Sequence, residues 1–94
     1  MKTDYYKQNY MVKLFKILAN TNRLKILQTL AANQVKPLNV NELSEQLGIN
    51  QGTLSTHLTR MRENGIIKAK QSGLNMFYSI KDENAIKLIN MIEK

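Results

Sequence analysis

Residues 40–71, VNELSEQLGINQGTLSTHLTRMRENGIIKAKQ, read as a helix, a tight turn, a second helix and the start of a strand. Asn41 is the expected N-cap of the first helix, with Leu43 and Leu47 turned inward and Gly48 as its stop. Asn50 is the expected cap of the second, where Leu54, Leu58 and Met61 recur at i, i+4 and i+7. With those side chains inside, the other face is left to hydroxyls, amides and arginines. Two short helices around a Gly-containing turn, the second presenting polar groups outward, are the parts of a helix-turn-helix.

Downstream, Gly65 after Asn64 ends the second helix, and 66–71 and 75–80 read as strands joined at Ser72-Gly73. In the second strand Met76, Tyr78 and Ile80 alternate with Phe77 and Ser79. Upstream, Tyr6, Tyr10, Leu14, Ile17 and Leu18 fall at helical spacing over 5–19, while Met11, Phe15 and Leu18 make a second stripe. Two apolar faces exceed what one small core takes up. Thr21 is the expected cap of a helix over 22–33, with Leu24, Leu27, Leu30 and Ala31 inward. Lys36-Pro37-Leu38 reads as an extended linker. In the last segment Ala85, Leu88, Ile89 and Ile92 share a face, and acidic residues at its start suit the helix dipole. The expected fold is mainly α with a small β-hairpin, a winged helix-turn-helix in the order α-α-α-α-β-β-α. It forms one domain, 1–94, with the helix-turn-helix at about 41–64, the wing at about 66–80 and terminal helices at about 5–19 and 82–93.

The composition agrees with one domain and a polyanionic partner. Ninety-four residues, 43% of them hydrophobic, build one core. A domain of this size buries only about 60–65% of its unfolded surface, so a second copy covering a shared face helps. Fourteen Lys and Arg against seven Asp and Glu give a net charge of +7, which suits nucleic acid or an anionic membrane. The absence of cysteine excludes disulfides, thiolate metal sites and thiol redox sensing. Lys7, Lys13 and Lys16 interrupt the first apolar stretch, so neither a signal peptide nor a membrane span is expected, and the expected compartment is the cytoplasm.

In a helix lying in the major groove, side chains near its N-terminus reach base edges. Here those are Gln51, Thr53, Ser55, Thr56, Thr59 and Arg60, with Gly52 small enough to let the helix end approach the backbone. Gln pairs bidentately with adenine and Arg with guanine, and Ser or Thr serves base or phosphate. The competing reading is an ordinary solvated face, but such a face carries Glu and Lys pairs, and 50–60 contains no acid. Arg62 belongs to the same basic surface. His57, the one histidine, is either a phosphate or base contact or a residue bonded locally. Lys68, Lys70, Gln71, Ser72, Gly73 and Asn75 make a basic hairpin fit to follow the sugar-phosphate backbone or enter the minor groove; the alternative is a solvated hairpin whose lysines protect an edge. A lone His makes no metal site, no nucleophile-base arrangement is legible, and neither phosphate-binding glycine motif occurs, so neither enzyme activity nor a cofactor is expected.

Over nearly its whole length the chain resembles the ArsR/SmtB family of bacterial winged-helix repressors. The resemblance rests on TNRLKILQTL, on NELSEQLGINQGTLSTHLTRMRENGII and on the hairpin ending NMFYSI. Within it, Q-x-T-[LV]-S-x-H-L followed by R-x-x-G-[IL]-[IV] is more specific than a generic helix-turn-helix, and Arg23 matches the Arg that opens the second helix. The resemblance implies a homodimer built from the first and last helices, here Tyr6, Tyr10, Leu14, Ile17, Leu18, Ala85, Leu88, Ile89 and Ile92. It departs at the sensing positions. Asn39 and Asn41 stand where metal-sensing members carry a Cys-x-Cys pair, and 82–94 offers Asp82 and Asn84 with no His. Neutral amides are poor ligands beside thiolate or imidazole, so no metal is expected and the inducer is unknown.

The expected function is that of a dimeric, sequence-specific regulator of transcription, a repressor on an inverted-repeat operator in double-stranded DNA. Two alternatives compete with it. One is a DNA-binding protein of plasmid or phage maintenance or of nucleoid architecture, with weak sequence preference. The other is a winged-helix protein-interaction module; such domains usually lose the basic wing and polar helix face, and this chain keeps both. A cleft between the terminal helices, lined by Tyr5, Tyr6, Tyr10 and Phe15, is one place for a non-metal ligand, although packing between two copies explains the same aromatics.

Overall fold

Asn20 begins the second helix, one position before the expected Thr21. Its side-chain oxygen accepts from the Arg23 amide at 3.1 Å, satisfying one of the backbone donors a helix start leaves open. The computed structural model describes residues 5–92, and side chains from residue 8 onward. In chain order the elements are α1 (Tyr5–Leu18), α2 (Thr21–Ala32), β1 (Leu38–Asn39), α3 (Val40–Leu47), α4 (Gln51–Glu63), β2 (Ile67–Ser72), β3 (Asn75–Ile80) and α5 (Glu83–Ile92). Five helices with a small antiparallel hairpin make the expected winged helix-turn-helix.

The start of α3 differs from expectation by two residues. Asn39 is the cap: it accepts from the Glu42 amide at 2.8 Å, while Glu42 returns a bond to the Asn39 amide at 3.0 Å. This reciprocal capping box satisfies two open donors at once, which the expected Asn41 cap could not do with Ser44 at its third position. Just before it, the expected linker becomes a strand. Pro37 favours extended backbone around it, and Leu38 and Asn39 pair antiparallel with Tyr78 and Phe77. The sheet therefore has three strands in the order β1-β3-β2.

Glycines set both turns of the central unit. Gly48 ends α3 at φ 65°, Ile49 behind it is buried, and the Ser44 hydroxyl donates to the Ile49 carbonyl at 2.7 Å, pinning the turn. At the end of α4, Gly65 has φ 73°; its amide reaches the Arg62 carbonyl at 3.0 Å and the Ile66 amide reaches Met61 at 2.9 Å. That pair of bonds is a Schellman motif, sealed by the buried Ile66 and Met61. It turns the chain straight from α4 into the wing.

The core is built from every layer: Leu14 and Ile17 of α1, Ile26, Leu27 and Leu30 of α2, Leu43 of α3, Leu54, Leu58 and Met61 of α4, and Ala85 and Ile89 of α5, with Leu38, Ile67 and Ile80 from the sheet. The expected inward triad of α4 is buried as its spacing requires. On α2 the inward set shifts: Ile26 joins Leu27 and Leu30, while Leu24 and Ala31 only flank the core. Among the described residues no helix is long and apolar enough to cross a membrane.

Candidate nucleic-acid interface

Because Leu54, Leu58 and Met61 face the core, the 3.6-residue period turns the rest of α4 outward. Gln51, Gly52, Thr53, Ser55, Thr56, Thr59, Arg60 and Arg62 are all exposed, and His57 is half-buried. Ser55, Thr56, Thr59 and Arg60 line one shallow hollow together with Glu63, an acid just beyond the acid-free stretch. The Thr56 hydroxyl donates back to the Gly52 carbonyl at 3.1 Å, so its proton is spent within the helix and its oxygen faces out as an acceptor. Asn50 caps α4 by accepting from the Thr53 amide at 3.0 Å. A β-carbon on Gly52 would stand 3.2 Å from that capping oxygen, so the small residue also protects the cap.

Gln51 is not free in this state. Its amide nitrogen donates to the Asn41 side chain on α3, which fixes the Gln51 carboxamide at the mouth of the helix-turn-helix. Asn41 thus enters the site as a positioning residue rather than a helix cap. Its proximity to Gln51 arises from the turn at Gly48 and was not readable from a separation of ten residues.

The wing's register sorts its side chains. Lys68 pairs with Ser79, Lys70 with Phe77 and Ser72 with Asn75, and paired residues share a face of the sheet. Lys68, Lys70, Ser72 and Asn75 are thereby on one face, while Gln71 lies on the other with Met76. The expected turn at Ser72-Gly73 moves on by one: the loop is Gly73-Leu74, with Gly73 at φ 62° and Leu74 in ordinary backbone, the φ pattern of a type II′ hairpin. Leu74 stands fully exposed at the tip, and no charge or periodicity in the sequence drew attention to it.

A further cation, outside α4, is anchored where α1 ends. Arg23, at the start of α2, donates through Nε to the Ile17 carbonyl at 2.9 Å and through a terminal nitrogen to the Lys16 carbonyl at 3.0 Å. It closes the C-terminus of α1, where the helix dipole is negative. Burial first, and then repulsion from Arg60, hold the Arg23 guanidinium below its ordinary value. His57 is also lowered, by burial first and then by Arg23 and Arg60.

The expected interface between copies divides in two. Leu14 and Ile17 are 3% exposed and Ala85 and Ile89 fully buried within one chain, so these four close the chain's own core and are not available to a second copy. Tyr10, Leu18 and Leu88 flank that core, half-buried. The outward apolar residues are Ile92, one of those expected, and with it Met91 of α5 and Met11, Val12 and Phe15 of α1, from 42% to 70% exposed. A hollow of about 460 Å³ lies between the two helices, lined by Tyr10, Met11, Leu14, Phe15, Asn84, Lys87 and Leu88. The Tyr6 side chain lies outside the described residues, as does that of Tyr5.

Among the described residues no three His, Cys, Asp or Glu side chains cluster as a metal site. The amides at the family's sensing positions have other partners: Asn39 caps α3, Asn41 receives Gln51, and Asn84 donates to the Tyr10 hydroxyl at 3.2 Å.

A sequence model described as bacterial regulatory protein, arsR family, matches residues 20–69, from the α2 cap through the first half of the wing. The chain belongs to the arsR family. The transcriptional repressor PagR of Bacillus anthracis is 37% identical over 95 residues, which takes in 98% of this chain and 93% of PagR. The PagR crystal structure superposes with a TM-score of 0.84 at 31% identity, covering 95% of this chain and 99% of that one. HlyU from Vibrio cholerae superposes with a TM-score of 0.87 at 30% identity over 97% and 95% of the two chains. A homodimeric winged helix-turn-helix DNA-binding domain from Mycobacterium bovis, described as a possible ArsR-family regulator, superposes at 0.82 with 26% identity over 98% and 84%. The chain spans 58%, 93% and 73% of three curated relatives' own lengths. For this arsR-family chain the family match thus rests on the helix-turn-helix, and the structural matches extend it through α1 and α5.

Proposed function

We propose that this protein is a homodimeric, sequence-specific DNA-binding regulator of transcription, acting as a repressor that occludes a promoter. The observation that carries the reading is the outward face of α4: hydroxyl, amide and guanidinium side chains, held rigidly by a buried Leu54-Leu58-Met61 stripe, beside a wing whose two lysines share one face. Gln51, Thr53, Ser55 and Thr59 are the candidates for base edges, and Lys68, Lys70, Ser72 and Asn75 for sugar and phosphate. PagR is a transcriptional repressor and the M. bovis domain a homodimeric DNA-binding one, and both likenesses support this reading.

The second copy sits on the outward faces of α1 and α5, through Met11, Phe15, Leu88, Met91 and Ile92. A two-fold there places two α4 helices to meet an inverted repeat in successive major grooves, roughly 34 Å apart. Binding rather than catalysis is the chemistry these surfaces support.

Selection of bound fragments from a random duplex pool, followed by sedimentation of the complex, tests the proposal. The expected product is an inverted repeat occupied by two chains. Enrichment of bendable A·T-rich DNA with no repeat would favour the architectural alternative, and no retained DNA would favour the protein-interaction module.

A further inference from the structure

One side chain of the wing has no part in polar contacts to base, sugar or phosphate. Leu74 is the second residue of the Gly73-Leu74 loop and is fully exposed. Neither the backbone nor the core requires leucine there. Gly73 supplies the positive φ of the turn, and a loop of this kind is ordinarily completed by a small polar residue that bonds to its own backbone or to water. Leu74 instead holds an apolar side chain in water beyond the end of the sheet.

The tip stands on the side of the molecule that meets DNA. Leu74, Asn75 and Met76 line a hollow of about 210 Å³ with Asn39 and Asn41 at the start of α3. Asn41 is also the residue that holds the Gln51 amide at the mouth of the helix-turn-helix. The surroundings of the tip are cationic. From Asn64 to Lys81 there is no Asp or Glu, and Lys70 stands only about 7 Å back along β2 from Ser72, on the same face as Lys68. The tip is also narrow: Gly73 has no side chain, so Leu74 alone projects from the loop, which suits a minor groove about 6 Å wide. The Gln71 side-chain amide donates to the Gly73 carbonyl at 3.4 Å and braces the loop.

We infer that Leu74 is an apolar wedge that enters the minor groove and pries open one base step per half-site, with Lys68 and Lys70 on the flanking phosphates. The inference rests on the DNA-binding reading and adds to it a deformation of the duplex. Leaving water for the space between two bases stabilises the leucine side chain and offsets the cost of unstacking. That cost is lowest at pyrimidine–purine steps, so the wedge reads sequence without a hydrogen bond to any base. A protein partner would call for an apolar patch around Leu74, whereas its chain neighbours are Ser72, Gly73 and Asn75.

Wild type, Leu74→Ala and Leu74→Met are compared on a selected operator labelled at single positions with a fluorescent adenine analogue that brightens when its stacking is lost. Because Leu74 is fully exposed, both variants should unfold at the wild-type midpoint. Wild type and Leu74→Met should brighten one position per half-site. Leu74→Ala should leave it dark, bind about three- to tenfold more weakly per half-site and lose the preference for a pyrimidine–purine step there. Gel mobility of circularly permuted operators should show a smaller bend with Leu74→Ala than with wild type. No brightened position with wild type, or equal brightening by Leu74→Ala, overturns the wedge while leaving DNA binding intact. A wild type that binds no selected duplex overturns the functional reading instead.

Discussion

The Tyr10 hydroxyl on α1 donates to Oδ2 of Asp82, 72 positions later, while the other oxygen of the same carboxylate caps α5 by accepting from the amides of Asn84 at 2.8 Å and Ala85 at 3.2 Å. One carboxylate thus starts the last helix and ties it to the first. Burial, together with Asp82, raises the Tyr10 hydroxyl above its ordinary value, so it stays a donor throughout the physiological range.

Tyr10→Phe should remove the tie and leave the cap. The expected loss is about 1 kcal/mol, the net worth of one hydrogen bond. Urea titration with operator binding measured alongside checks it. A loss above about 3 kcal/mol would mean that the hydroxyl organises more than this contact.

The division of the α1 and α5 faces predicts two different outcomes for neighbouring substitutions. Phe15→Glu or Ile92→Glu, on outward positions, should leave a folded monomer that has lost most operator affinity because the second half-site is gone. Leu14→Ala, inside one chain, should cost about 2–5 kcal/mol of stability. Sedimentation and thermal unfolding separate the two. A Phe15→Glu variant that still sediments as a dimer would place the interface elsewhere.

Gln51 and Lys70 should fail differently. Gln51→Ala should cost about 1–3 kcal/mol at one base pair and relax preference there. Asn41→Ala should reproduce part of that loss, since Asn41 holds the Gln51 amide. Lys70→Ala should weaken all sequences alike and lower the salt slope by about 0.9. Binding to an operator mutated one base pair at a time, at several salt concentrations, distinguishes these cases.

The lowered imidazole of His57 has a consequence for the free protein. Around and below the ordinary value of about 6.5, the unfolded chain binds more protons than the folded one. Its contribution to stability is therefore complete above that pH and is lost as pH falls through the lower folded value. Without DNA, His57→Gln should reduce the difference between unfolding midpoints at pH 7.5 and 5.5. An unchanged difference would show that His57 is not the group responsible.

Zinc, nickel, cadmium and copper should not release the protein from DNA at submicromolar concentration. At the family's sensing positions Asn39, Asn41 and Asn84 present amides already engaged in hydrogen bonds. Calorimetric titration of the untagged protein tests this; stoichiometric tight binding that also lowers operator affinity would point to carboxylates as the ligands.

The sequence by itself determined the helix-turn-helix. Leu54, Leu58 and Met61 are inward because a 3.6-residue period admits one buried stripe, and Asn50, Gly48 and Gly65 mark its ends because capping and positive φ are local chemistry. The wing's alternation followed from the two-residue period of a strand, though its turn fell one residue later than the dipeptide Ser72-Gly73 suggested. Tertiary structure alone decided the rest. Leu38 and Asn39 became a strand only because Tyr78 and Phe77 of β3 lie alongside, and Asn39 won the α3 cap because Glu42 answers it. Two apolar stripes on α1 were legible, but which of them turns inward was set by packing, which buries Leu14 and Ile17 and leaves Met11 and Phe15 outside. The Asn41–Gln51 bond and the Tyr10–Asp82 tie join residues 10 and 72 positions apart. Local propensity carries no information about such distances, which only the packed chain sets.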